Sequence, residues 1–200
     1  MTDKNPPALA RRMAITNRDR FICTPTVAKH RVFVWVDKTV IPDHQLVVCA
    51  RQDDYFFGVV NSRAHQVWSL RLGTSLGVGN DPRYTPTTCF ETFPLPWSTG
   101  QEPVNDCRIE AVARAARDLD AKRRVWLEPP TVDTEPLKKL TLTNLYNKRP
   151  TWLVHAHAAL DRAVWHAYGW DDPDPASVSK DTILERLLAL NLARAGSKPE

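Results

Sequence analysis

The chain has 200 residues, 42% hydrophobic and 25% charged, with a formal net charge of +4. That composition suits one sizeable core or two small ones and argues against disorder throughout. The longest apolar runs, such as Leu46 to Ala50, are far too short to cross a bilayer, and Met1 to Ala10 lacks the apolar stretch of a signal peptide, so a cytoplasmic protein with no membrane partner is expected.

Residues 1–19 read as an N-terminal extension, a candidate for disorder. Arg20 to Asp37, "RFICTPTVAKHRVFVWVD", is rich in β-branched and aromatic residues and alternates Arg31, Phe33 and Trp35 with Val32, Val34 and Val36. It predicts two strands around a basic turn. Asp37-Lys38 and Pro42-Asp43 read as turns, and Gln45 to Ala50 as a buried strand. Asp53 or Asp54 can cap a helix, since a short acceptor side chain satisfies the free amides of a helix start. Phe56, Val59, Val60, Ala64, Val67 and Trp68 recur at helical spacing, which predicts a helix packed on the sheet, with Arg63 and Arg71 on its other faces.

Gly73, Gly77 and Gly79 then suit a hairpin or a loop lying against something flat, and Tyr84 to Phe93 reads as a Thr-rich strand. Pro94, Pro96 and Pro103 mark a boundary, because proline lacks the donor that sheet and helix interiors need. A domain junction is expected near residue 98, with a linker over 98–105. Beyond it three apolar stripes repeat every 3.6 residues: Ile109 to Leu127, Leu153 to Ala167 and Ile183 to Leu190. They predict a small helical bundle over 106–196, with Ser179 capping its last helix. The fold class is therefore α+β, a mixed α/β domain over 20–97 followed by a helical one.

Chemistry is harder to find. Cys23, Cys49, Cys89 and Cys107 lie 26, 40 and 18 apart with no C-x-x-C pair, so reduced, structural cysteines and no metal are expected. "NPPA", Asn5 to Ala8, resembles the Asn-Pro-Pro-aromatic motif of amino-methyltransferases, but Ala8 replaces the aromatic that would stack a flipped base. "GVGN", residues 77–80, is followed by Asp81-Pro82 and a strand, where a nucleotide or adenosylmethionine loop needs a helix start. His155, His157 and His166 lack the i, i+4 spacing of helical metal ligands, while His44 and His65 lack an evident nucleophile or orienting carboxylate. No catalytic residue is assigned.

Charge and glycine point instead to binding. Residues 1–100 carry 12 Lys+Arg against 8 Asp+Glu, residues 101–200 carry 15 against 15, and between Arg11 and Arg31 six basic residues face the single acid Asp19. Such asymmetry suits a surface that holds a polyanion, because each phosphate neutralised releases condensed counterions; a merely solvated basic face would look the same. Lys29, His30, Arg31, Arg51, Arg63, Arg71, Arg83 and Tyr84 interleave with aromatic and glycine positions. Long cations grip phosphates, guanidinium can bond guanine twice, an amide such as Asn80 can do so on adenine, and glycine lets backbone approach a groove.

The blocks "TPTVAKHRVFVW" (24–35), "YFFGVVNSRAHQVWSL" (55–70), "LGVGNDPRYTPTTCFETFPLPW" (76–97), "LTLTNLYNKRPTWL" (140–153) and "ILERLLALNLAR" (183–194) resemble, in order, the C-terminal part of the MmeI-like class I adenine-specific DNA methyltransferases. The resemblance runs from about Arg20 to Ala195. It implies a target recognition domain followed by a helical C-terminal domain, duplex DNA as partner, and an associated catalytic domain that binds S-adenosylmethionine and methylates adenine N6. It places Gly77, Gly79, Asn80 and Arg83 at base edges, with Tyr84 beside them, and Lys29, His30 and Arg31 at the DNA backbone; Arg63 and Arg71 complete the expected DNA-binding set. The chain departs from the family's pattern in lacking the catalytic domain. It reads either as a separately encoded specificity piece or as an inactive truncated remnant, and a protein-interaction module that docks on a methyltransferase core is the rival reading.

Overall fold

The computed structural model describes residues 14–76, 81–129 and 139–196. At its centre lies β1 (Arg20–Pro25), flanked on both sides by antiparallel partners, β2 (Val34–Asp37) and β3 (Leu46–Cys49), in the order β2-β1-β3. The pairing sets Arg20 opposite Asp37 and Ile22 opposite Cys49, so the basic turn joins β1 to β2 as the alternation predicts. Because strand side chains alternate, β1 feeds two apolar layers. Phe21 and Cys23 meet Ile15 on one face, and Ile22 joins Phe33, Val47 and Cys49 on the other. Ile15 belongs to the expected extension, yet it is already part of the packed fold.

Asp53 caps α1 (Asp54–Asn61), its Oδ1 accepting from the Phe56 amide at 2.8 Å. The apolar stripe predicts one helix here, and the chain forms two. At Ser62 the backbone turns extended, φ −77° and ψ 162°, and its hydroxyl accepts from the His65 amide to start α2 (Arg63–Leu72). The stripe continues through the break because both helices face the same core.

A hairpin comes next, β4 (Thr74–Leu76) against β5 (Asp81–Arg83), with Thr74 opposite Arg83. The predicted strand from Tyr84 to Phe93 is not formed. Pro86, which cannot donate to a ladder, instead opens a π-helical turn over Pro86–Phe90 that drops Cys89 into the core.

The three predicted helices of the second half are α3 (Cys107–Leu127), α5 (Thr151–Tyr168) and α6 (Lys180–Gly196), with a short α4 (Leu142–Lys148) before α5. Ser179 caps α6 through the Thr182 amide at 3.0 Å. Helices α3 and α5 pack against each other, and the first half completes the packing. Helix α1 packs on α3 and α5, and α6 packs on α2. Gly58 permits the closest crossing: a Cβ there would lie 2.7 Å from Val112 Cγ1 and 3.1 Å from both Ala116 Cβ and Leu160 Cδ1. Seven consecutive residues of α1, Tyr55 to Asn61, are buried because helices cover one side and sheet the other, where Phe57 stacks on Trp35 at 4.7 Å.

One core thus runs across residue 98, from Ile22 and Phe33 to Ile183 and Leu187. The proline exit is clasped by the helices: Tyr168 donates to Pro94 O at 2.8 Å, and Arg194 donates to Leu95 O and Pro96 O at 2.7 and 2.8 Å. The sequence changes character at the prolines, while the packing is continuous.

Candidate nucleic-acid interface

The turn between β1 and β2 carries Lys29, His30 and Arg31, and the three side chains have different surroundings. Arg31 is only 8% exposed, and its guanidinium donates to Thr24 Oγ1 at 3.1 Å, to Pro82 O at 3.0 Å and to the Pro25 carbonyl. It also lies over the Tyr84 ring, 5.0 Å from the centroid. Burial lowers its pKa, so this charge is held at a cost that the surrounding carbonyls offset. Expected at a DNA backbone, Arg31 is instead the pin that joins the turn to β5.

That pin fixes what stands outside it. Tyr84 N donates to Thr26 O at 2.7 Å, and Val27 bridges to Arg83, which brings Lys29 and Arg83 to one exposed rim. Gly73 makes the fit possible from behind, since a Cβ there would lie 2.7 Å from the Arg83 carbonyl oxygen. Gly77, Gly79 and Asn80 lie outside the described residues, as does Asn5 to Ala8. Strands β4 and β5 that flank residues 77–80 form a hairpin, with no helix start after the glycines of the kind an adenosylmethionine loop requires.

Tyr84, expected beside the base edges, is 2% exposed. Its hydroxyl meets His65 Nε2 at 3.0 Å, and His65 Nδ1 reaches Val60 O at 2.8 Å. Burial pulls the His65 pKa down to about 4 and pushes the Tyr84 phenol well up, so both stay neutral as core polar groups. Arg63 is likewise spent inward: its amide donates to Asp161 Oδ1 at 2.7 Å and its guanidinium to Pro175 O and Val178 O at 2.6 and 2.8 Å. Arg71 is exposed and lines a shallow groove with Lys180, Asp181 and Leu184 of α6.

His30 leads to residues the sequence did not single out. Its Nε2 bonds Asn147 Oδ1 at 2.9 Å, and its ring lies 5.8 Å from that of Tyr146, so α4 abuts the turn. Behind them Arg123, 2% exposed, donates to Phe33 O at 3.1 Å, to Asn61 Oδ1 at 3.2 Å and to the Tyr146 hydroxyl. With that oxygen accepting from Arg123, the Tyr146 proton is free to point at His157 Nε2, 2.8 Å away. Burial, reinforced by Arg123 and Arg149, depresses the His157 pKa to about 3 and keeps it a neutral acceptor. The signal was the block "NLYNKRP", in which polar and basic residues end a helix beside a proline.

The geometry is a rim of exposed cations beside a glycine hairpin, supported by inward-facing arginines. Residues 4–97 match the family model described as "MmeI, target recognition domain". Over these residues the chain is similar to an MmeI-type target recognition domain. The exposed rim of Lys29 and Arg83 lies within them, as does the hairpin. Among solved structures the chain is similar to the Type IIL restriction-modification enzyme MmeI in complex with DNA, at 22% identity and a TM-score of 0.67, over 88% of this chain and 21% of that one. At this identity the likeness is one of fold, and it extends past the target recognition domain into the helical half. A comparison with curated protein sequences finds no match. Among the described residues no helix is long and apolar enough to cross a membrane.

Proposed function

We propose that this chain reads duplex DNA sequence for a cytoplasmic restriction-modification methyltransferase that transfers a methyl group from S-adenosylmethionine to adenine N6. The observation that carries this reading is the target recognition domain at residues 4–97, with the exposed Lys29 and Arg83 on its hairpin side. In this reading Gly77, Gly79, Asn80 and Arg83 face base edges. Lys29 and His30 hold phosphates, while Arg31 and Tyr84 fix the backbone that presents them. Adenosylmethionine is held by an associated catalytic domain, and this chain selects the site at which the reaction occurs. The test is binding of the full chain to labelled duplexes over a range of salt. Contacts at Lys29 and His30 alone give a slope of log K against log salt of about −2, and every further phosphate contact steepens it by about one. Salt-insensitive binding, or none, overturns the reading.

The second reading, docking on a separate methyltransferase core, is favoured by the cleft beside β2. It measures about 810 Å³ and is lined by Trp35, Val36, Arg20 and the end of α3. If docking is the main role, charge reversal at Lys29 and Arg83 leaves DNA binding unchanged, while the chain still co-purifies with a methyltransferase core.

A further inference from the structure

The helical half is neutral overall, yet its cations are unevenly spent. On α3, Arg108, Arg117, Lys122 and Arg124 each have a carboxylate within ion-pair distance. Arg186 pairs with Asp172, and Arg194 is taken up by carbonyls. Lys148 and Arg149, at the corner between α4 and α5, are exposed and have no ion pair among the described residues. Asp161 is near enough to feel Arg149, but its Oδ1 accepts from the Arg63 amide.

The corner is not remote from the target recognition domain. Asn147, one residue before Lys148, bonds His30, and Lys29 precedes His30 beside Arg83. The His30–Asn147 bond therefore joins the turn that carries Lys29, beside Arg83, to the corner that carries Lys148 and Arg149, across the boundary between the halves. Asp81, at the loop end of β5, is the acid beside these cations on the hairpin side. Cations that outnumber the acids beside them repel, and a polyanion removes that cost. Arg149 adds a constraint of its own. Its φ of 42° lies in the left-handed region, where a β-carbon costs about 1 kcal/mol and glycine is the relaxed choice.

We propose that Lys148 and Arg149 form a second phosphate-contact site for the same duplex, so that the helical half grips the DNA that the target recognition domain reads. The proposal rests on the proposed DNA-reading function and adds which surface outside residues 4–97 takes part. These contacts carry no sequence information, because phosphates are alike at every base pair. They contribute affinity and fix the angle at which the hairpin meets the groove.

The test uses the full chain, a labelled duplex and a salt titration, with the double variant Lys148→Ala, Arg149→Gly. Glycine suits the backbone at 149, so the fold is kept, which a thermal melt verifies. Binding is expected to weaken about tenfold near physiological salt, by the same factor on every duplex sequence, and the salt slope to become shallower by about two. Arg114→Ala, which removes an exposed charge from α3, should leave the slope unchanged. If wild type binds with steep salt dependence and the double variant binds equally well, the corner proposal alone is overturned. An Arg114→Ala effect equal to half that of the double variant also overturns it, since net charge would then be the cause. If wild type binds no duplex, the DNA-reading function fails and the proposal falls with it.

Discussion

Inside the fold Arg31 donates to the Pro82 carbonyl within the first half, and Arg63 and Arg123 donate across the seam between the halves, to Pro175 and Val178 and to Phe33, whereas along the outer band Lys29, Arg83, Lys148 and Arg149 have no ion pair among the described residues. Residue type is nearly the same in the two regions. The difference is access to water. A guanidinium that loses its hydration must find fixed acceptors or be expelled, while one at the rim keeps water and stays available to an anion. Arg63 and Arg123 therefore hold the halves in register, and the outward cations are the ones free to meet an anion.

This contrast is most directly broken at Arg123. Arg123→Met leaves the Phe33 carbonyl and the Tyr146 hydroxyl without their donor, and a loss of about 3 kcal/mol is expected in chemical denaturation. Next comes the crossing point of the seam. Gly58→Ala forces a Cβ against Val112, Ala116 and Leu160, and about 2 kcal/mol should be lost, visible as a lower melting temperature.

Acid probes the seam without mutation. His65 and His157 stay neutral in the fold down to about 4 and 3, so below the ordinary value of 6.5 the unfolded chain takes up two protons that the fold refuses. Asp161, its pKa raised to about 6 by burial, works the other way: between about 6 and its ordinary 3.8 the fold holds a proton that the unfolded chain releases. The net difference between pH 6 and 4 is one proton, so stability falls with falling pH by about 1.4 kcal/mol per unit. Asp161→Asn removes the opposing group and should about double that slope. At the rim the smallest effect on folding is expected. Arg83→Ala should leave the melting temperature within about 2 °C of wild type while weakening duplex binding; a large loss of stability there would erase the distinction between seam and rim.

The same contrast separates what could be read beforehand from what could not. Alternation around Phe33 and Trp35, the Asp53 cap, the glycine hairpin and the helical stripes through Val112, Leu160 and Leu187 were legible, since each depends on neighbours in sequence. The helix break at Ser62 was hidden because the apolar stripe runs straight through it. Tyr84 to Phe93 misled because its β-branched residues outweighed Pro86 in the reading. Among the candidate contacts, Lys29 and Arg83 stand exposed as a binding surface requires, whereas Arg31, Arg63 and Tyr84 are turned inward. Charge alone says nothing about which carbonyls lie within reach.

The sequence by itself determined the α+β order of elements, the basic turn, the hairpin and the concentration of positive charge in the first half, because periodicity, capping and turn chemistry act over a few residues. Tertiary structure alone decided that the two halves share one core, that three arginines became internal ties, and that the corner of Lys148 and Arg149 abuts the turn of Lys29 and His30. Those outcomes depend on residues far apart in the chain, such as Gly58 meeting Val112 and Leu160, and His30 meeting Asn147, where packing fixes which groups lose water and which retain it.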